Sequence, residues 1–314
     1  MEQSVLARLD GQIAWTARQW PHQMRQRLAG YILAQQTAGG GFTDKAGSPD
    51  LYYTGWALRG LWLIGGIDDH TRGMTGRYLQ ASPPKDLIEL TSWLMAELAI
   101  QGSNAVQGTT LPTARLERAQ GAEFRALLHA SRSDDGGYVR AAGAPAGSTY
   151  LTFLALLTSQ MLGEPLPHAD RLLEFLRSRR REDGGFAEGP YARFGSVNPT
   201  AAAVATLLAL SPTGGQDPSL EGACRFLQHA QHADGGWRAW PHSAGGDLLS
   251  TFTALYMLAA AGRLENVDAA GAVAFAQACL REDGSFAGTP AETQGDVEFT
   301  CYGISTLALL KVES

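Results

Sequence analysis

The chain of 314 residues lacks the features that mark several large classes of protein. It has three cysteines, Cys224, Cys279 and Cys301, without a CxxC pair, which excludes a disulfide framework and a cysteine-rich zinc finger. No apolar run approaches about 18 residues, so no transmembrane helix is expected. The first residues lack the apolar segment of a signal peptide. Together these absences predict a cytoplasmic protein.

Clusters of lysine and arginine that would mark a nucleic-acid interface are also absent. The 25 basic and 31 acidic residues give a net charge of −6, and we expect no nucleic-acid partner. The GxSxG, HExxH and Walker A motifs do not occur. Asp68-Asp69-His70-Thr71-Arg72 lacks the closing acid of a DDxxD metal box. The sequence therefore predicts no metal site and no other cofactor.

What the sequence does contain is an internal repeat made of glycines followed by an aromatic residue. The aromatic residues of this signature are 96, 48, 51 and 49 residues apart. Because the first interval is twice the others, one repeat has lost its signature. The signatures are Gly40-Gly41-Phe42, Gly136-Gly137-Tyr138, Gly184-Gly185-Phe186, Gly235-Gly236-Trp237 and the variant Gly284-Ser285-Phe286.

A second anchor of the repeat is a threonine near the start of each apolar run, including the run that has no glycine turn. The runs are apolar nearly all round, which is typical of buried helices. Six threonines define six units: Thr54, Thr91, Thr152, Thr200, Thr251 and Thr300. Short polar residues before these runs are expected N-caps: Asp50, Ser148, Ser196, Asp247 and Asp296.

More polar, amphipathic runs lie between the buried ones and predict an outer layer of helices. They span roughly 22–36, 68–80, 113–131, 167–181, 217–232 and 266–281, and a further N-terminal helix is expected near 4–18. Neither end of the array has a polar capping repeat, so closure into a ring is favoured over an open solenoid. The sequence predicts an all-α fold, an (α/α)6 toroid that forms a single domain over residues 1–314.

These features resemble one superfamily over nearly the whole chain. The stretch Gln231-His-Ala-Asp-Gly235-Gly-Trp237 matches the QxxxGxW motif of squalene and terpene cyclases, and residues 36–42 are a near match. The runs GGGFTDKAGSPDLYYTGWALRGL and GDVEFTCYGISTLALL look like those of protein prenyltransferase β-subunits. The resemblance implies an isoprenoid or other apolar substrate in a central cavity.

The resemblance to protein prenyltransferases implies a zinc site, from which this sequence departs. The family's Asp, Cys and His ligands correspond here to Asp247, Leu249 and Phe299, and two of these cannot ligate zinc. The family's diphosphate-binding Arg corresponds to Glu298, whose carboxylate repels a diphosphate. A prenyltransferase β-subunit-like protein without the zinc triad, joined to a helical partner chain, is therefore one alternative.

The resemblance to class II terpene cyclases implies a carboxylic acid that protonates an alkene or epoxide. Asp296-Val297-Glu298-Phe299-Thr300 is similar to their DxDD-Thr motif, with Glu298 as the proton donor, Asp296 as its support and Phe299 in place of the last acid. Glu89 holds the same position relative to Thr91 and is expected to face the same lumen. A second interpretation makes Asp296 an N-cap and Glu298 an exposed first-turn acid.

Aromatic residues on the inner helices are the expected walls of the cavity, although some must pack between helices. Aromatic faces stabilise a cation by about 0.5–2 kcal/mol each, and they also suit passive binding of an apolar chain. The candidates are Tyr52, Tyr53, Trp56, Trp93, Tyr150, Phe252, Tyr256, Phe299 and Tyr302.

The leading hypothesis is a metal-free, acid-initiated terpene cyclisation. A non-catalytic isoprenoid-binding, lipid-binding or scaffold protein is the other alternative. A membrane surface, contacted peripherally, is a further candidate partner.

Overall fold

Helices form nearly all of the regular structure. The structure is a computed structural model that describes residues 5–43, 45, 47–102, 114–210 and 217–311. Its helices are α1 (Val5–Arg18), α2 (His22–Ala34), α3 (Leu51–Ile64), α4 (Asp69–Ala81), α5 (Leu87–Gln101), α6 (Arg118–Ala130), α7 (Thr149–Met161), α8 (Ala169–Arg179), α9 (Val197–Leu210), α10 (Pro218–His229), α11 (Leu248–Ala260), α12 (Ala269–Ala278) and α13 (Val297–Leu309). One antiparallel pair joins β1 (Phe42–Thr43) to β2 (Pro49–Asp50), with Phe42 opposite Asp50.

The helices form a closed double ring. The inner helices α3, α5, α7, α9, α11 and α13 each pack against the next, and α13 packs against α3. The outer helices α2, α4, α6, α8, α10 and α12 pack on this inner ring. This arrangement confirms the predicted toroid of six helix pairs. Within the described ranges, no helix has the length and apolar character needed to cross a membrane.

The glycine turns let each repeat pack closely on the next, and the same contact closes the ring. Gly184 has a φ of 86°, and a Cβ there would lie 2.9 Å from the Gly222 carbonyl oxygen of α10. Gly284 of the sixth repeat has a φ of 92°, and its Cβ would lie 2.6 Å from the Arg27 carbonyl oxygen of α2. Glycine avoids both the positive-φ penalty and these clashes. The last turn therefore packs on the first outer helix.

The repeated threonine holds the aromatic turn to the inner helix. Thr251 Oγ1 accepts a hydrogen bond from the Trp237 N–H at 3.0 Å and donates one to the Asp247 carbonyl oxygen at 2.7 Å. Both Thr251 and Trp237 are fully buried. The same bonds recur at four other anchors, Thr54, Thr152, Thr200 and Thr300. This shared geometry explains the regular spacing between turn and threonine.

The second repeat lacks the turn, and its threonine is one position out of register with the others. Helix α5 begins after Asp86, whose carboxylate accepts from the Glu89 N–H at 2.9 Å. In the other repeats the threonine stands four residues after the N-cap, whereas here that position is Leu90. Thr91 Oγ1 instead bonds Thr158 Oγ1 at 2.8 Å. The residue equivalent to Glu298 is therefore Ile88, so the predicted equivalence of Glu89 was wrong.

The predicted helix boundaries differ from those observed by a few residues at each end. The run 167–181 corresponds to α8 at Ala169–Arg179, because the chain already pairs Arg180 with the turn residue Phe186. The side chains of four expected N-caps each accept a hydrogen bond from a backbone N–H of the first helical turn: Asp50, Ser148, Asp247 and Asp296. Residues 4 and 113 of the predicted helices lie outside the described residues.

Helix α1 lies across the interior of the ring. It packs against α3, α9, α11 and α13, which are consecutive around the ring. At its end, Arg18 Nη2 donates to the Trp62 carbonyl oxygen near the end of α3 at 2.7 Å. Helix α1 therefore occupies the end of the ring at which the inner helices finish, and the opposite end contains their first turns.

The threonine anchor predicts a measurable loss of stability in Thr251→Val. This change leaves the buried Trp237 N–H without an acceptor, which costs about 1–3 kcal/mol. Chemical denaturation should show this decrease in the free energy of unfolding. Thr251→Ser keeps the hydroxyl and should lose less. Equal losses in the two variants would contradict the role of the hydrogen bond.

Candidate active site

The first turns of four inner helices, α5, α7, α9 and α11, are each bonded to the next repeat, which gathers them at one end of the ring. The Thr149 N–H at the start of α7 donates to the Glu188 carbonyl oxygen at 3.1 Å. The Val197 N–H at the start of α9 donates to Ala239 at 2.8 Å in the same way. Side chains in these first turns are therefore brought to a shared opening.

Glu298 lies in the first turn of α13 and is held by two tyrosines. Its Oε1 accepts hydrogen bonds from Tyr52 Oη of α3 at 2.6 Å and from Tyr302 Oη of α13 at 2.8 Å. Burial raises the pKa of Glu298 above its usual value, the two hydroxyl donors oppose this, and the nearby Asp296 charge raises it further. The carboxyl group therefore points among aromatic rings, and the expectation of an exposed first-turn acid does not describe it.

Asp296 begins α13 and supports Glu298 through charge rather than through a hydrogen bond. Its Oδ1 accepts from the Phe299 N–H at 2.8 Å, as an N-cap does. Lys45 Nζ lies 3.7 Å from its Oδ2. Burial raises the pKa of Asp296, and the Phe299 N–H and Lys45 lower it. The N-cap role expected from the sequence and a neighbouring charge at Glu298 are both present.

Aromatic rings surround the Glu298 carboxyl on the side facing the ring interior. The Tyr302 ring stacks on Phe252 with centroids 5.0 Å apart and meets Trp56 edge-on at 4.8 Å. Phe299 lies 6.0 Å from Tyr302. The pKa of Tyr150 is raised by burial and by the charge of Glu298, which places it near the same carboxyl. The predicted residues brought together here are Tyr52, Tyr53, Trp56, Tyr150, Phe252, Phe299 and Tyr302.

Two predicted site residues on α5 lie away from this group. Trp93 Nε1 donates to the Leu79 carbonyl oxygen of α4 at 3.0 Å, and its ring lies 5.0 Å from Phe124 of α6. Trp93 therefore packs between the inner and outer layers. Glu89 Oε2 accepts from the Lys85 N–H at 2.8 Å. The register of α5, set by Asp86, places Trp93 between the two helix layers, and the Glu89 carboxylate is engaged by the backbone before α5.

The interior below the aromatic rings holds an ion pair that the sequence analysis missed. Arg59 Nη2 of α3 lies 2.7 Å from Asp10 Oδ1 of α1. Tyr256 Oη donates to the same Asp10 oxygen at 2.7 Å and lies 3.1 Å from the Leu6 carbonyl oxygen. Tyr256, predicted as a wall residue, therefore lies at the level of this pair. The available signal was Arg59 itself, the one charged residue in the sequence of α3.

A shallow cavity of about 420 Å³ lies at the same end of the ring as Glu298. It is formed by the loops before α9 and α11 and includes Arg193, Phe194, Asn198 and Trp240. Trp240 is 50% exposed and the nearby Tyr191 is 97% exposed. Aromatic side chains therefore project into solvent around this part of the rim.

The zinc ligand set of protein prenyltransferases does not fit this site. Asp247 is engaged as an N-cap by the Ser250 N–H and hydroxyl, at 2.7 and 2.9 Å. The other two corresponding positions, Leu249 and Phe299, offer no ligand atom. Across the described ranges, no three His, Cys, Asp or Glu side chains are grouped as metal ligands.

The sequence matches a family of known fold. The family described as the prenyltransferase alpha-alpha toroid domain matches residues 17–80 and 137–314. The chain belongs to this family. The family match leaves out residues 81–136, which include α5 and the repeat that lacks its aromatic turn. No curated protein matches the sequence.

Solved structures that share this prenyltransferase toroid fold have different activities. Candida albicans protein geranylgeranyltransferase-I complexed with GGPP has a TM-score of 0.68 and 15% identity, covering 91% of this chain and 90% of that chain. The type II terpene cyclase MstE from Scytonema has a TM-score of 0.61 and 16% identity, covering 92% and 96%. A glycosidase has a TM-score of 0.54 and 14% identity, covering 99% of each. At these identities the similarity shows the fold alone.

The two tyrosine donors predict the direction of a pKa change. Tyr52→Phe and Tyr302→Phe each remove a hydrogen bond that favours the carboxylate, so each should raise the pKa of Glu298 further above 4.5. Carboxyl carbon NMR of labelled protein would follow this titration. Tyr150→Phe should change it less, because no hydrogen bond joins that hydroxyl to Glu298. A lower pKa in either donor variant would contradict the geometry.

Proposed function

We propose that the protein binds an isoprenoid in its ring interior and initiates cyclisation by protonating an alkene with Glu298. The observation that carries this proposal is the position of Glu298, a half-buried residue whose carboxyl group lies among aromatic rings and is held by Tyr52 and Tyr302. A raised pKa increases the fraction of neutral acid at a given pH, as a proton donor requires.

The chemistry assigned to Glu298 is a proton transfer to carbon. The π electrons of the alkene take the proton, the carboxyl group becomes a carboxylate, and a carbocation forms on the substrate. The hydroxyls of Tyr52 and Tyr302 then stabilise the carboxylate, because a charged acceptor forms the stronger hydrogen bond. The faces of Trp56 and Phe252 are suited to stabilise the cation. A second alkene attacks the cation to close a ring, and the ring cation then loses a proton to solvent. Glu298 takes up a proton from solvent, which restores the acid for the next turnover.

Two structural relatives support the choice of substrate class. The Candida albicans enzyme is complexed with GGPP, and a form of MstE is in complex with geranylgeranyl dihydroxybenzoate. Each holds an isoprenoid chain on the fold seen here. The prenyltransferase alternative is less well supported, since Leu249 and Phe299 replace two of its zinc ligands.

The proton donor role predicts that Glu298→Gln abolishes product formation. The amide has nearly the same shape but no acidic proton, so turnover should fall by at least about a hundredfold. The assay incubates the protein with squalene, farnesol, geraniol and geranylgeranyl diphosphate, with and without EDTA, and detects products by mass spectrometry. Glu89→Gln is the matched control and should retain activity.

The proton donor role also predicts the pH dependence of the wild type. Its kcat/KM should decrease as pH rises through the pKa of Glu298, because the carboxyl group then loses the proton that it donates.

Other results of this assay would favour the alternatives. Turnover that needs a divalent metal would contradict the acid mechanism, and turnover unchanged in Glu298→Gln would remove that residue from it. Binding without products, unchanged in Glu298→Gln, would identify an isoprenoid-binding protein.

We also propose that the protein contacts a membrane surface to take up its apolar ligand. The contact is made by the aromatic rim, which consists of Tyr191, Phe194 and Trp240. Phe194 and Trp240 flank the rim cavity, and Tyr191 lies fully in solvent beside it. Arg193 lies over the Phe194 ring at 5.4 Å. Aromatic rings with a polar edge next to a cation suit the boundary between headgroups and acyl chains.

This contact predicts weaker vesicle binding when the rim aromatics are removed. The Phe194→Ser and Trp240→Ser double variant should bind phosphatidylcholine vesicles several-fold less well in a sedimentation assay. Trp15 is 62% exposed on α1 at the other end of the ring. Trp15→Ser is therefore the matched control and should bind as the wild type does. Equal binding by all three proteins would contradict a contact through the rim.

A further inference from the structure

The rim cavity lies between the loops that precede α9 and α11, and ring contacts join these two loops. The His242 ring of the second loop meets the Phe194 ring of the first edge-on, with centroids 5.7 Å apart, and meets Trp240 of its own loop at 5.5 Å. The cavity volume of about 420 Å³ falls within the range of about 300–1,000 Å³ that is typical of small-molecule sites. The two loops therefore enclose one site.

The side chains that line the rim cavity offer hydrogen-bond donors and a positive charge. Arg193 contributes a guanidinium group, which has five N–H donors. Thr253 Oγ1 donates to Asn198 Oδ1 at 2.7 Å, so the Asn198 amide nitrogen is left to donate to a ligand. Among the described residues that line the cavity, none carries a carboxyl group. The cavity is therefore suited to an anion.

The charge of Arg193 is not neutralised by the described part of the chain. Its guanidinium lies over the Phe194 ring at 5.4 Å, and no described carboxylate forms an ion pair with it. Asp183 and Glu188, the acids nearest to it in the sequence, accept backbone N–H groups. Because Arg193 is also exposed, it can pair with an anion from outside the protein.

A comparison of two repeats shows that the fold does not need these exposed side chains. Arg181 Nη2 donates to the Gly189 and Pro190 carbonyl oxygens at 3.2 and 3.1 Å, and Arg281 forms the same two bonds in the sixth repeat. On this shared frame, the loop of the sixth repeat carries Ala291, Thr293 and Gln294 in place of Tyr191, Arg193 and Phe194. The aromatic and cationic side chains of the fourth repeat therefore point to a role in binding.

We propose that the rim cavity binds the phosphate of an anionic membrane phospholipid, with Arg193 as the ion-pair partner and Asn198 as a second donor. A guanidinium group matches a phosphate with two parallel N–H donors. A free phosphate would leave the rings of Tyr191 and Trp240, which are 97% and 50% exposed, in water, whereas a lipid covers them. This inference rests on the proposed membrane contact and adds the class of lipid.

The test compares sedimentation of the full chain with two kinds of vesicle, phosphatidylcholine alone and phosphatidylcholine mixed with phosphatidylglycerol. The wild type should bind the mixed vesicles about fivefold more tightly, which is the effect of about one arginine near an anionic surface. Arg193→Gln should lose this preference and keep its binding to phosphatidylcholine. Asn198→Ala should weaken the preference although the charge is unchanged. A preference that survives in Arg193→Gln would overturn the site.

Two controls separate a site from other kinds of attraction. Lys85 is exposed just before α5, at the same end of the ring but outside the cavity, so Lys85→Gln should retain the preference. Equal losses in Lys85→Gln and Arg193→Gln would overturn the site in favour of attraction by overall charge. Glycerol phosphate has the same phosphate ester without acyl chains. Calorimetric binding of glycerol phosphate as tight as that of the mixed vesicles would overturn a lipid as the occupant.

The same measurements distinguish failure of this inference from failure of the proposed function. Equal wild-type binding to both kinds of vesicle would overturn the anionic headgroup site and leave the contact through the aromatic rim intact. Binding to neither kind would overturn that contact as well. Glu298→Gln should bind both kinds as the wild type does, because the proposed proton transfer takes no part in membrane binding.

Discussion

Closure of the inner ring is the constraint on which the site depends. Tyr52 and Glu298 are 246 positions apart in sequence and belong to the first and last inner helices, yet their side chains are 2.6 Å apart. This contact exists because α13 packs against α3 and the Gly284 turn packs on α2. In an open array of the same repeats, Tyr52 and Glu298 would lie at opposite ends of the array. The fold therefore creates the candidate acid site at the seam where its two ends meet.

The two ends of the ring interior differ in their electrostatics. At the opening, Glu298 is a carboxyl group whose partners are hydroxyls, and the nearby cation Lys45 lies against Asp296 and Glu292. Deeper inside, Arg59 is matched by Asp10 and its charge is compensated. A buried acid without a salt bridge can remain protonated, whereas a buried ion pair is fixed in its charged form. The interior thus contains Glu298, which is suited to proton transfer, and the Asp10–Arg59 ion pair, which holds α1 to α3.

Most of the fold was predictable from the sequence because one local contact recurs. The spacing between Trp237 and Thr251 reflects a direct hydrogen bond, so the periodicity of such pairs defines the repeats. The surroundings of Glu298 followed from aligning those repeats. The same alignment failed for Glu89 and Trp93, since the second repeat has no turn and its helix starts one residue out of register, at Asp86. The pairing of Asp10 with Arg59 lay outside the repeat, and periodicity does not relate α1 to the ring.

The place of the bound isoprenoid can be determined from a crystal structure with an unreactive geranyl analogue. We expect the chain inside the ring, with an alkene carbon in contact with the Glu298 carboxyl and the chain lying against Trp56 and Phe252. A chain bound only outside the ring, or a Glu298 side chain turned into bulk water, would contradict it.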